Sequence, residues 1–77
     1  MTQTQLHTLN LALKRVSGKV ADLMRELSQY RDYAEKNFEE HDAEGQKALS
    51  DMKETIQVFD ATRAKISNLR KQIVLMQ

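Results

Sequence analysis

Two histidines, His7 and His41, and a dense set of carboxylates, Glu39, Glu40, Asp42 and Glu44, are the residues of this chain whose types could support site chemistry. An imidazole among carboxylates can hold a cation, but a defined metal site needs ligands that converge at fixed spacing. His7 and His41 are far apart in sequence, and the residues around His41 match no ligand motif, so the pattern reads as a solvated acidic turn. Cysteine is absent, which removes disulfides and thiolate metal sites. There is no glycine-rich phosphate loop and no nucleophile elbow. An enzyme is not expected, nor is a cofactor or a resident metal.

Charge recognition is the other chemistry on offer. Residues 1–21 carry Lys14, Arg15 and Lys19 with no acid, and residues 61–77 carry Arg63, Lys65, Arg70 and Lys71 with no acid. The stretch 22–60 holds all eleven acids against five bases, a net of −6 concealed within an overall +1. Nucleic-acid binding usually combines cations with aromatic stacking platforms. Here the four aromatics, Tyr30, Tyr33, Phe38 and Phe59, all lie in the acidic stretch. A small RNA-binding or regulatory hairpin is therefore the third choice, behind two protein-interaction readings.

The elements that position these charges are helices. Proline is absent, glycine occurs only at positions 18 and 45, and helix-favouring residues dominate. Thr2 can cap a first helix, with Gln5 reaching back as in a capping box. Leu6, Leu9, Leu13, Val16, Val20, Leu23, Leu27, Tyr30 and Ala34 follow at steps of three and four, the spacing of a heptad seam. A second stripe, Leu49, Met52, Ile56, Phe59, Ile66, Leu69, Ile73 and Met76, is out of phase with the first, which argues for a turn instead of one continuous helix. The sequence predicts helix one over about 3–41, a turn over about 42–45 with Gly45 in the left-handed conformation that ends a helix, and helix two over about 46–75. The paired stripes then place Leu13 opposite Ile73, Val20 opposite Ile66, Leu27 opposite Phe59 and Ala34 opposite Met52, with a fold point near residue 43. The fold class expected is all-α: a two-helix antiparallel coiled-coil hairpin completed by oligomerisation or by a partner.

The second seam breaks near Asp60 to Arg63, where Arg63 is expected to lay its stem along the seam and meet Glu26 or Asp60 at the edge. Gly18 falls on the outer surface. A core this small supplies only ~3–5 kcal/mol, so association is expected to help. Folding brings the seven cations of the two termini together at the open end, opposite an acidic turn. That open end is also apolar on several sides, since Ile73, Val74, Leu75 and Met76 are consecutive and Leu11 adds a second face to Leu6 and Leu9. The contact surface predicted for a helical protein partner consists of Leu6, Leu9, Leu11, Ile73, Val74, Leu75 and Met76 as anchors, with Lys14, Arg15, Arg70 and Lys71 orienting it. No apolar run approaches the roughly 18–20 residues of a membrane span, and Met1–Leu13 lacks the pattern of a signal peptide. A cytoplasmic protein is expected.

The Leu6–Tyr30 and Leu49–Met76 stripes, the turn His41–Gln46, the size and the lack of cysteine together resemble the small E-type co-chaperones of bacterial type III secretion. That resemblance implies a two-helix hairpin partnered with a helical-repeat chaperone, the pair keeping a secreted needle subunit from polymerising. The main rival is a self-associating four-helix-bundle scaffold made of two hairpins.

Overall fold

The computed structural model of the chain describes residues 1–77. It contains two helices, α1 (Gln3–Asn37) and α2 (Ala43–Met76), of 35 and 34 residues. They run antiparallel as a rod of 57 × 14 × 13 Å, so the fold is the predicted all-α hairpin. The radius of gyration is 17.4 Å, against about 11.5 Å for a compact domain of this length. Nothing closes over the two helices, and only six residues are buried.

Helix α1 begins as its sequence dictates. The Thr2 hydroxyl accepts from the Gln5 amide at 3.1 Å, and the Gln5 side chain accepts from the Thr2 amide at 2.9 Å. Two of the amides left free at a helix start are thereby satisfied.

The turn differs from its prediction in both place and mechanism. Helix α1 stops at Asn37, four residues before the expected end, and the connection is Phe38–Asp42. Phe38 is extended (φ −86°, ψ 129°), and the Asn37 side chain donates to the Tyr33 carbonyl at 2.8 Å. Helix α2 then starts at Ala43, because the Asp42 carboxylate accepts from the Gly45 amide at 3.0 Å and acts as its N-cap. The capping carboxylate and Glu44 in the first turn complement the positive end of the α2 dipole. Gly45 is therefore helical, with no positive φ, and its role is steric. A Cβ on Gly45 would lie 2.8 Å from Asp42 Oδ2 and 3.0 Å from the Phe38 ring. The missing side chain lets the cap and the Phe38 ring close over the turn.

An earlier turn shifts the pairing of the helices. At the open end Gln3 Nε2 donates to the Gln77 carbonyl at 3.4 Å, and Arg70 Nε donates to Asn10 Oδ1 at 3.0 Å. Asn10 thus lies beside Arg70 at the open end, while nearer the turn Phe38 lies on Gly45 and Glu35 reaches Lys53. Relative to the predicted pairing, the open-end contacts are shifted toward the start of α1. The predicted register would leave the first eight residues without a partner helix, whereas the observed one pairs both helices over their full length.

The seam of α1 is also corrected. Leu6, Leu13, Val20, Leu27 and Ala34 face α2 as expected, but the alternate positions are Asn10, Ser17, Met24 and Arg31, and Leu9, Val16, Leu23 and Tyr30 are exposed. Helix α2 packs through Gly45, Leu49, Met52, Ile56, Phe59, Thr62, Ile66, Arg70 and Ile73. One of its layers presents a cation, half-buried Arg70. Its guanidinium needs an acceptor, which Asn10 supplies and Leu9 cannot. Arg63 itself stays exposed and pairs with neither Glu26 nor Asp60, so the expected edge ion pair is absent.

Candidate functional site

The seam divides the hairpin into two long flanks of opposite character. Lys53 Nζ lies 3.3 Å from Glu35 Oε1, which identifies the flank formed by residues one place after Ala34 in α1 and one place after Met52 in α2. Stepping by sevens, that flank carries His7, Lys14, Ala21, Ser28 and Glu35 beside Gln46, Lys53, Asp60, Ser67 and Val74. It is polar. Near the open end it contains a groove walled by Asn10, Ser17, Arg63, Arg70 and Lys71.

The opposite flank is apolar. Leu9, Val16, Leu23 and Tyr30 recur every seven residues along α1 and are 37, 46, 49 and 57% exposed. A heptad spacing aligns them in a row parallel to the seam; the corresponding row on α2 is Ala48, Thr55, Thr62, Leu69 and Met76, of which Leu69 and Met76, toward the open end, are exposed hydrophobics. Tyr33 and Val58 extend the same surface outward. A helix in a soluble bundle normally turns such a row toward a third or fourth helix. In this hairpin the row is in water.

The predicted contact residues do not form one surface. Leu6 and Ile73 are 5 and 4% exposed and close the hairpin's own core. Arg70 is half-buried in the seam on Asn10. Leu9 and Met76 sit on the apolar flank, whereas Lys14 and Val74 sit on the polar one, with Leu11 and Lys71 adjoining it. Arg15 and Leu75 point away from both. The open end therefore gathers the predicted residues in height along the rod but scatters them around its axis. Leu9, Val16, Leu23 and Tyr30, which the heptad spacing predicts in the seam, instead form the exposed row. The signal that separates them is the polar row next door: Asn10 has a buried role only because Arg70 faces it.

No three His, Asp or Glu side chains converge as metal ligands, and His41 Nε2 rests 2.8 Å from Glu39 Oε2 at the exposed turn. The ion pairs Arg25–Asp22, Arg31–Asp32 and Lys53–Glu35 are all solvent-accessible, and each is worth ~0–1 kcal/mol. No helix is long and apolar enough to cross a membrane. No family model matches the chain, and no curated protein and no solved structure matches it.

Proposed function

We propose that this chain is a non-enzymatic helical interaction module that completes a multi-helix bundle by laying its apolar flank on a helical protein. The observation that carries this reading is the unpartnered row Leu9, Val16, Leu23 and Tyr30, together with an excess of exposed surface. The chain exposes 6060 Å². A compact monomer of 8.9 kDa exposes about 4,800 Å². The difference is on the order of one standard interface, in which each partner covers about 800 Å².

In its most specific form the reading is a cytoplasmic co-chaperone of type III secretion, whose partners are a helical-repeat chaperone and a needle subunit held unpolymerised. The hairpin fold, the thin core and the spare apolar row favour that form, since a hairpin of this kind gains stability when a helical surface covers it. Co-expression with the needle subunit and helical-repeat chaperone of the same genome tests it. A soluble ternary complex that Val16→Asp with Leu23→Asp disrupts is the expected result. A needle subunit that polymerises unchanged beside the wild-type chain would sink the secretion assignment. A self-associating scaffold is the second reading, favoured by the separation of charge between the two ends of the rod.

A further inference from the structure

We propose that the apolar flank also accepts a second copy of this chain, docked antiparallel, so that the free protein is a two-fold dimer of hairpins forming a four-helix bundle. This inference rests on the interaction-module reading and names one occupant for the same surface. The row Leu9, Val16, Leu23 and Tyr30 is symmetric about a point between Val16 and Leu23, near the middle of the rod. A two-fold axis through that point, perpendicular to the rod, brings Val16 over Leu23 of the other copy and Leu9 over its Tyr30. The contact is self-complementary, as a two-fold interface must be.

Charge selects the antiparallel arrangement over the parallel one. Lys19 and Glu26 are exposed and border the row on either side of its midpoint. Inversion end for end carries Lys19 toward Glu26 of the second copy, twice per dimer. On a larger scale it sets the open end, with seven cations and no acids in residues 1–21 and 61–77, against the turn region with its net of −6. A parallel dimer would stack like ends on like ends. The area also suffices, because the surplus surface of one hairpin exceeds the about 800 Å² that one partner covers in a stable interface.

The absence of cysteine makes the geometry directly testable. Single variants Leu9→Cys and Tyr30→Cys, mixed and oxidised, are expected to give a disulfide-linked heterodimer, while Leu9→Cys alone stays unlinked. Sedimentation equilibrium of the wild type is expected to give twice 8.9 kDa. Leu23→Asp is expected to raise the dissociation constant about 100-fold or more, since each dimer carries the change twice. Lys19→Glu is expected to weaken the dimer, and Lys19→Glu with Glu26→Lys to restore it. A monomer at the highest soluble concentration, or efficient linking of Leu9→Cys to itself, would overturn the antiparallel dimer. Neither result touches the helical-partner reading, which fails separately if flank variants leave partner capture unchanged in the co-expression experiment.

Discussion

Truncating two leucines that look equivalent in the sequence should have very different costs, and the difference measures the register of the hairpin. Leu49 and Leu23 both belong to heptad stripes, yet Leu49 is 8% exposed against α1 and Leu23 is 49% exposed on the flank. Removing a buried leucine side chain costs roughly 2–5 kcal/mol, the larger values arising where a cavity persists. In a two-helix seam open to water on both sides the site can collapse, so Leu49→Ala is expected to cost about 2–3 kcal/mol. Leu23→Ala forfeits only part of a transfer term of about 1.5–3 kcal/mol and leaves no cavity, so its cost within one hairpin is expected to be below about 1 kcal/mol. Thermal melts followed by far-UV circular dichroism convert this to a shift of about 4–8 °C per kcal/mol for a domain of this size. Leu49→Ala should therefore lower the midpoint by roughly 10–20 °C at every concentration. Leu23→Ala should lower it by a few degrees in dilute solution and by more as concentration rises, because association stabilises the wild type by mass action. Equal losses in dilute solution would mean that Leu23 lies in the seam and that the observed register is wrong.

Other substitutions probe separate parts of the rod. Gly18→Ala should raise stability by about 0.5–1 kcal/mol in a denaturant titration, since Gly18 is mid-helix with open space where a Cβ would go. Gly45→Ala should instead lower stability by about 1 kcal/mol in the same titration, because the new Cβ meets the Asp42 cap and the Phe38 ring and the lost cap outweighs the gain in helix propensity. Asn10→Ala removes the acceptor for half-buried Arg70 and is expected to cost about 1–2 kcal/mol by chemical denaturation, while an Asn10→Asp variant retains an acceptor and most of that stability. Lys53→Ala should change stability by less than about 0.5 kcal/mol in thermal melts at low and high salt, because its pair with Glu35 is exposed.

Much of the fold was legible in the sequence because the relevant physics is local. The Thr2–Gln5 capping box needs only four consecutive residues, and the row Leu6, Leu13, Val20, Leu27, Ala34 needs only the helical period. The turn lies earlier than the spacing predicts because two local solutions compete within Phe38–Gly45. One ends α1 at a left-handed Gly45, and the other starts α2 at Asp42. Sequence spacing does not rank these, whereas the structure does, through the Asp42 cap, the Glu39 carbonyl that accepts from Gln46 Nε2 at 3.1 Å, and Phe38 packed against the bare Gly45 backbone. The candidate site was legible only in kind. The sequence predicts surplus apolar surface at the open end, where Leu11, Val74, Leu75 and Met76 are indeed exposed, and the structure adds the row Val16, Leu23 and Tyr30 along one flank.

The sequence by itself determined two long helices, their antiparallel return and the separation of basic and acidic ends, since each depends on residue types and on a period of 3.5 to 3.6. Tertiary structure decided which of two adjacent rows on α1 faces its partner. Leu9, Val16, Leu23 and Tyr30 are the more apolar row, but a seam is a match between two surfaces, and α2 brings Arg70 into it. A half-buried guanidinium requires an acceptor, so Asn10 turns inward and the leucines turn outward. That inward turn of Asn10 leaves the flank on which the proposed interactions rest.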